Sequence, residues 1–344
     1  MSMKHGQSQH FLSRVTLRVG RLARELVGLR AERPTVSRAT EGVLFPQPSG
    51  PYIIDDDELR QIICENNKHP LAKVTGRVWK QDPAMPGNLK DVNLKAFRGD
   101  NAFVWQTRGA PLSNFVVSAL WAERKDSHQL LRNTHEDGAF GVECLQILNR
   151  LWSRDLIDSL LEMNFLLDHI PTLEGKTVVD VGAGYGRLLT RMADVTESTR
   201  LYGVDGVAMS TAICRAYVRY RQQDHRIGVL SLKEADEFDD AIDLAINVHS
   251  FSEMHIEAVR FWLGWLRCRS TRWLFIVPNR PGPSLNDGTD LLPHLDEYGF
   301  ELEVSARKYS DQTVGDHSLF QGDYYLFRSR EETHRPQEAR INST

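Results

Sequence analysis

The stretch from Thr177 to Leu189 reads TVVDVGAGYGRLL, and it indicates the fold of the whole chain. An apolar run rich in β-branched residues gives way to glycines at positions 182, 184 and 186, and a helical pattern follows at once. This order predicts a strand, a tight turn and a helix, which is the arrangement of nucleotide-type cofactor sites. Glycines let the backbone turn sharply and approach a ligand, and the N-terminus of the helix offers free N–H groups there.

Outward from this stretch, strand and helix patterns alternate. We predict strands at 177–181, 200–204, 226–231, 242–247 and 272–277, and helices at 185–194, 207–222, 254–269 and 288–298. Two further strand patterns, at 300–309 and 323–329, have no helix between them. The alternation predicts an α/β fold, a Rossmann-like, doubly wound parallel sheet covered on both faces, and the last pair predicts an antiparallel hairpin at its edge.

The chain before this sheet is predicted to be mainly helical. Residues 1–45 contain a basic amphipathic helix at 11–31, which could lie on a membrane or pack on a protein surface; we favour packing, including a homo-oligomer contact. Residues 46–150 are predicted to be an accessory cap that faces the substrate, with helices from Asp55 to Cys64 and from Phe115 to His128. Ser153 is predicted to cap a long helix at the start of a domain spanning 151–330, and 331–344 to be a disordered tail.

Composition narrows the class of protein. The 344 residues are 41% hydrophobic and 26% charged with a net charge of −4, so nothing points to a nucleic-acid partner or a membrane surface. The four cysteines are far apart, which favours free thiols over disulfides or a zinc site. The sequence has no apolar run long enough to span a bilayer and lacks the core of a signal peptide. We therefore expect a cytoplasmic protein without stable membrane insertion.

The glycine pattern distinguishes between cofactor classes. A dinucleotide fingerprint, G-x-G-x-x-G, would need a glycine where Arg187 stands. The observed pattern, D-x-G-x-G-x-G beginning at Asp180, resembles motif I of class I S-adenosylmethionine (SAM)-dependent methyltransferases. This resemblance implies SAM as the cofactor, and a carboxylate at the end of the strand suits its ammonium and sulfonium charges.

Other strand ends supply further candidate residues for the cofactor. Asp205 follows the second strand, 23 residues after Gly182, and its two oxygens could accept both hydroxyls of a ribose. The alternative is that Asp205 caps the next helix. Leu230, Ser231 and Leu232 end the third strand and could flank adenine. The full set of predicted cofactor-binding residues is Arg154, Asp180, Gly182, Ala183, Gly184, Gly186, Asp205, Gly206, Ser231, Asn247 and Val248.

The fourth strand ends in Asn247-Val248-His249-Ser250. Enzymes that methylate base amino groups or glutamine amides usually carry Asn/Asp-Pro-Pro-Tyr/Phe there, so that substrate class is disfavoured. His249 and Glu253 suit the deprotonation of a hydroxyl instead, and a histidine base predicts an acidic limb of the pH–rate profile near its usual pKa. The alternatives are a structural role for His249 and a helix-capping role for Glu253 at the start of 254–269.

A metal-assisted reaction is a further alternative. Mg²⁺ held by Glu253, Asp287 and Asp290 could lower the pKa of the hydroxyl, but these residues form no tight cluster in the sequence, and we do not favour a metal.

Several segments together are similar to the bacterial sugar O-methyltransferase family. They are 180–188, 204–207 and 247–254, with 97–101 and 153–159 upstream. The resemblance covers about 95–330 and implies O-methylation of a sugar or glycosylated metabolite, with a small molecule or a glycan as acceptor. Two alternatives stay open, an N-methyltransferase acting on an amino sugar or other small molecule and a non-catalytic binding protein with the SAM-dependent fold.

Overall fold

The computed structural model describes residues 45–46, 50–73, 93–99, 110–147 and 149–330. The predicted amphipathic helix at 11–31 and the predicted tail at 331–344 lie outside the described residues and stay predictions. No helix in the described part of the chain combines the length and apolar character needed to cross a bilayer.

A small antiparallel sheet precedes the main domain. Its strands are β1 (Phe45–Pro46), β2 (Glu143–Ile147) and β3 (Arg150–Ser153), in that order. No sequence pattern predicted this sheet, because its strands are too short to show a clear period. Two helices occupy the same region, α1 (Asp56–Asn66) and α2 (Leu112–Lys125), close to their predicted positions. Asp55 caps α1 as predicted, since its carboxylate accepts hydrogen bonds from the backbone of Asp57 and Glu58.

The main sheet has seven strands in the order β6–β5–β4–β7–β8–β10–β9. They are β4 (Thr177–Val181), β5 (Arg200–Val204), β6 (Ile227–Leu230), β7 (Leu244–Val248), β8 (Trp273–Val277), β9 (Phe300–Arg307) and β10 (Asp323–Ser329). The five strands from β6 to β8 are parallel, whereas β10 lies antiparallel between β8 and β9. The prediction of a doubly wound sheet with an antiparallel C-terminal strand pair is confirmed, but the expectation of no helix between these two strands is wrong, because a short helix at Gln312–Asp316 connects them.

Helices cover both faces of this sheet. They are α3 (Arg154–His169), α4 (Arg187–Val195), α5 (Ala208–Tyr220), α6 (Leu232–Asp236), α7 (Ser250–Glu253), α8 (Ile256–Cys268), α9 (Leu292–Glu297) and α10 (Gln312–Asp316). Ser153 caps α3 as predicted, because its hydroxyl accepts a hydrogen bond from Leu156 N at 3.0 Å. On the central strand β4, Val178 packs in a cluster with α3 and α4, while Val179 and Val181 pack in a second cluster with α8 and α9. All five residues of β4 are buried, as expected for a strand covered on both faces.

The chain after β7 forms one more helix than predicted. The helix predicted at 254–269 is present as α8, which begins at Ile256, and the short helix α7, which was not predicted, precedes it. The side chain of His255 caps α8, so the suggestion that Glu253 caps this helix is wrong. Glu253 is instead the last residue of α7.

A buried arginine joins the accessory region to the main domain. Arg98 is 1% exposed, and its guanidinium donates hydrogen bonds to Asp155 at 3.1 Å, to Glu136 at 2.9 Å and to Asp137 at 2.6 Å. Asp155 lies in the first turn of α3 and also accepts a hydrogen bond from the hydroxyl of Tyr185 in the glycine-rich turn. Arg98 therefore connects the cap, the long helix and the turn through one set of buried charges.

Aromatic side chains surround this charged group. Phe97 stacks on Phe140 with ring centroids 4.8 Å apart, and both rings contact Tyr217 of α5 edge-on. Tyr185 meets Tyr217 at 5.4 Å, so the same cluster reaches the glycine-rich turn. The surrounding rings exclude water from the ion pairs, which makes each pair costly to break.

We predict that Arg98→Met destabilises the protein by about 3–5 kcal/mol, because Asp155 would be left buried without its positive partner and Glu136 would keep Arg191 but lose Arg98. Urea denaturation followed by circular dichroism measures this change. The matched control is Arg200→Met, since the Arg200–Asp240 ion pair is about half exposed and its loss should cost less than about 1 kcal/mol. Similar losses for the two variants would contradict the assignment of Arg98 as the connecting residue.

Candidate active site

A cleft opens at the carboxyl ends of β4, β5 and β7, where ligands of open α/β sheets bind. It brings together most of the predicted residues, namely Asp180, Gly182, Ala183, Gly184, Asp205, Gly206, Val248, His249 and Glu253. The strands that hold these residues are far apart in the sequence, and the parallel sheet places their ends side by side.

The turn after β4 is held tightly against the turn after β7. Gly182 has a φ of +81°, and its N–H donates to Val204 O at 2.7 Å. A Cβ at this position would overlap with Ser250 Oγ, which itself donates to Val181 O at 3.0 Å. Glycine is required here for both its backbone conformation and its lack of a side chain.

Asp205 closes the turn from the side of β5. Its carboxylate accepts hydrogen bonds from Gly184 N at 3.1 Å and from Val207 N at 2.8 Å. Burial raises the pKa of Asp205 to about 6, although both backbone donors oppose this change. Each carboxylate oxygen accepts one backbone hydrogen bond and keeps further lone-pair capacity, so the side chain can also accept hydrogen bonds from a ligand.

Asp180 lines the base of the cleft and is only 4% exposed. Burial raises the pKa of Asp180 to about 7; the positive charge of Arg187 opposes this change, and the carboxylates of Glu162 and Asp205 add to it. A buried carboxylate with a raised pKa is most stable when a cation approaches it. The cleft therefore has a site for positive charge at its base.

Arg187 forms part of the same wall. Its guanidinium donates to Ser159 Oγ at 2.8 Å and pairs with Glu162 of α3 at 2.9 Å. These contacts hold the arginine in place at the N-terminus of α4, where the backbone N–H groups also favour negative charge. The cleft thus presents an acidic and a basic group close to each other.

His249 has an unusual backbone conformation at the far wall of the cleft. Its φ is +67°, which is uncommon for a residue other than glycine, and its N–H donates to Val277 O at 2.7 Å. Within the described residues, its Nδ1 is buried and has no hydrogen-bond partner. Burial, with a contribution from the positive charges of Arg154 and Arg187, lowers the pKa of His249 to about 3. The imidazole is therefore neutral at physiological pH.

Glu253 lines the cleft one helical turn after His249. Its Oε1 accepts a hydrogen bond from Asn279 Nδ2 at 3.0 Å. Asn279 follows β8, and its own N–H donates to Ser252 Oγ at 3.1 Å. The carboxylate is therefore oriented by the neighbouring strand end.

Four predicted cofactor-binding residues lie outside the lining of the cleft. Asn247 is fully buried and ties the two turns together by donating to Val181 O and accepting from Phe251 N. Gly186 begins α4, and Ser231 caps α6 with Glu234 in a reciprocal capping box. Arg154 pairs with Asp158 at 3.2 Å. The geometry gives these residues supporting functions, and cofactor contact by them stays a prediction.

The cleft also contains residues that the sequence analysis did not select. Leu71, next to α1, and Met254, Ala258 and Trp262, around the start of α8, supply apolar surface. Trp262 lies on the apolar face of α8, a pattern that indicates burial but not a ligand. Leu71 could not have been found, because nothing in its local sequence shows that the accessory region folds over this edge of the sheet.

The proposed metal ligands do not converge. Asp287 accepts hydrogen bonds from Thr289 of its own loop, and Asp290 accepts one from Leu292 N at 2.9 Å. Across the residues that the structure covers, no three histidine, cysteine or acidic side chains are grouped as metal ligands.

Residues 146–248 match the family model of the methyltransferase small domain. No curated protein matches the sequence. Similar solved structures include a SAM-dependent methyltransferase from Aquifex aeolicus, with 20% identity over 49% of this chain and 90% of that chain, at a TM-score of 0.38. Another is magnesium protoporphyrin IX methyltransferase from Synechocystis PCC 6803 with bound SAM, with 15% identity over 62% of this chain and 97% of that chain, at a TM-score of 0.39. The [4+2]-cyclase SpnF has 18% identity over 50% of this chain and 80% of that chain, at a TM-score of 0.37.

The segment matched by the family model contains the glycine-rich turn, Asp205 and the four parallel strands from β4 to β7. It thus includes most of the cleft, whose acidic base and compact turn fit a cationic cofactor that bears a ribose. The family match and the chemistry of the cleft together support a methyltransferase whose cofactor is S-adenosylmethionine.

Proposed function

We propose that this methyltransferase transfers the methyl group to a hydroxyl of a sugar or glycosylated metabolite. The observation that carries the proposal is the turn after β7, which presents a neutral imidazole, that of His249, and the carboxylate of Glu253 to the cleft. Both groups can accept a proton, which a hydroxyl must lose when it is methylated.

The residues at the base of the cleft suit the cofactor. When bound, S-adenosylmethionine supplies an electrophilic methyl group on a sulfonium. Asp180 offers negative charge to the cationic part of the molecule, and Arg187 offers positive charge to its carboxylate. Asp205, at the end of β5, offers lone pairs to the ribose hydroxyls. The apolar surface of Leu71 and Trp262 suits a flat ring such as adenine.

The backbone at position 249 supports a hydroxyl acceptor rather than a base or amide nitrogen. In the Asn-Pro-Pro-Tyr pattern of amino and amide methyltransferases, a proline would occupy this position. Proline fixes φ near −65°, whereas His249 has a φ of +67°. The backbone of this turn therefore differs from that of the Asn-Pro-Pro-Tyr turn. Replacing His249 by proline would not reproduce that turn.

The low pKa of His249 still permits it to act as a base. As the hydroxyl oxygen gains its new bond to carbon, it becomes positively charged and its proton becomes strongly acidic. A neutral imidazole can accept that proton late in the reaction, even though it is a weak base towards a free alcohol. His249 therefore requires no prior deprotonation at neutral pH, and Glu253 can orient the acceptor from the neighbouring turn.

We predict that His249→Ala lowers kcat by roughly 10²–10⁴-fold while the affinity for S-adenosylhomocysteine stays within a few-fold of wild type. The side chain lies on the acceptor side of the cleft, so its loss should affect turnover and not cofactor binding. Single-turnover assays and calorimetry measure the two effects. Glu253→Gln is the matched variant, and we expect it to raise the acceptor KM more than it lowers kcat.

The pH dependence of kcat provides a second readout. Because the pKa of His249 is about 3, we expect no acidic limb in kcat between about pH 5 and 8 from this residue, in contrast to the expectation from sequence.

Near-full turnover of His249→Ala together with abolition of activity by EDTA would instead favour the metal-assisted reaction. Methylation of an amino sugar but not of its hydroxyl analogue would favour the N-methyltransferase.

We also predict that Asp180→Asn weakens SAM binding at least about tenfold, because a charged contact contributes about 1.5–3 kcal/mol. Calorimetric titration measures the loss, and the exposed Asp240→Asn serves as the control. In the wild type, affinity should fall as the pH drops below about 7, where Asp180 becomes protonated. Equal SAM affinity at pH 6 and pH 8 would contradict a direct role of this carboxylate.

The same substitution should stabilise the protein without ligand. The pKa of Asp180 is higher in the folded state than its ordinary value, so folding stability falls as the pH rises from about 4 through about 7. Asp180→Asn removes this penalty, and we expect a gain on the order of 1–4 kcal/mol at pH 8 that vanishes near pH 4. Urea denaturation at the two pH values tests the sign of the effect.

A further inference from the structure

A second groove lies at the same edge of the sheet as the cofactor cleft. Its volume is about 360 Å³, and its walls come from the residues after β8, the end of β9 and the start of β10. Strand β9 is parallel to β8, because both are antiparallel to β10. The carboxyl ends of β8 and β9 therefore reach the edge at which the cleft opens.

Positive charge predominates among the lining residues. Arg280 is exposed and has no hydrogen-bond or ion-pair partner in the part of the chain that the structure describes. Arg307 donates to Gln312 Oε1 at 2.7 Å, a neutral partner that leaves its charge uncompensated. The one carboxylate of the lining is that of Asp323, which accepts a hydrogen bond from the Tyr325 hydroxyl at 3.4 Å. The groove thus holds two guanidinium groups and one carboxylate.

A hydrogen-bonded pair of residues links this groove to the cofactor cleft. Asn279 lines the groove, Glu253 lines the cleft, and the two side chains are joined by the hydrogen bond of 3.0 Å. A molecule seated in the groove therefore lies next to the acceptor side of the cleft, where His249 and Glu253 are placed. The groove has the position expected of an acceptor-binding site.

We propose that Arg280 and Arg307 bind an anionic group, a phosphate or a carboxylate, on the acceptor whose hydroxyl is methylated. The inference rests on the proposed function and adds the substrate class, a sugar that carries negative charge. Arginine is suited to this role because its planar guanidinium forms paired, charge-assisted hydrogen bonds with phosphate and carboxylate oxygens. Gln312 holds the guanidinium of Arg307 without neutralising it.

The test uses the full-length chain saturated with S-adenosylhomocysteine. Glucose 1-phosphate, glucuronate, methyl glucoside and inorganic pyrophosphate are each titrated calorimetrically. We expect at least one of the two anionic sugars to bind at least about tenfold more tightly than the neutral methyl glucoside. Which of them binds more tightly distinguishes a phosphate from a carboxylate as the natural group.

The variants are Arg280→Ala and Arg307→Ala, with Arg260→Ala as a matched exposed arginine on α8 that pairs with Glu297. We expect each groove variant to weaken the anionic probe about 10- to 100-fold and to leave S-adenosylhomocysteine binding unchanged. The control should bind every probe as the wild type does. Because all three arginines are exposed, their replacement should not prevent folding.

Each result bears on the inference. Equal affinity for charged and neutral sugars, unchanged affinity in both groove variants, or no binding of any probe at millimolar concentration would overturn it. If pyrophosphate binds in an arginine-dependent way but no sugar binds, the result would support an anion-binding site and contradict the inference that the acceptor is a sugar. Failure of the wild type to bind S-adenosylhomocysteine would contradict the proposed function itself, independently of the groove.

Discussion

The buried charge of Arg98 is the interaction on which the arrangement of the site depends. Its guanidinium donates hydrogen bonds to Asp155 at the start of α3 and to the carboxylates of Glu136 and Asp137 in the accessory region. Asp155 in turn holds the hydroxyl of Tyr185, within the glycine-rich turn. A charge buried this deeply tolerates little displacement, so the position of the turn depends on an arginine that precedes it by more than 80 residues in the chain.

The fold was predictable because the sequence patterns that indicate its strands, turns and helices are local and periodic. The β-branched run ending at Asp180, the glycines that follow and the two strand patterns at 300–309 and 323–329 are each visible in the sequence, and together they imply the seven-stranded sheet with its antiparallel end. The short helix α10 between the last two strands was not predicted, because five residues show no helical period. The small sheet of the accessory region was missed because strands of two to five residues carry too little period. Its pairing also depends on how β3, from Arg150 to Ser153, aligns with β2. No local sequence pattern specifies this register.

The site was predictable in its residues and less so in their roles. Asp180, Asp205, His249 and Glu253 do meet in one cleft, because parallel strands end at one edge. Sequence could not show that Asn247 faces the interior, where its amide connects two turns, since side-chain direction depends on the neighbouring strand. Nor could it show the low pKa of His249, which arises from burial and from charges that are distant in the chain.

The raised pKa values of Asp180 and Asp205 have a consequence for the amount of protein in a cell. Two carboxylates enclosed in one cleft lower the stability of the ligand-free protein when they are ionised, so a cationic cofactor that binds beside them should stabilise the folded state. Chaperones and proteases act on the unfolded fraction, which is larger in molecules without cofactor. Abundance of this enzyme should therefore follow the supply of S-adenosylmethionine, so that a shortage of the methyl donor also reduces the number of enzyme molecules that compete for it.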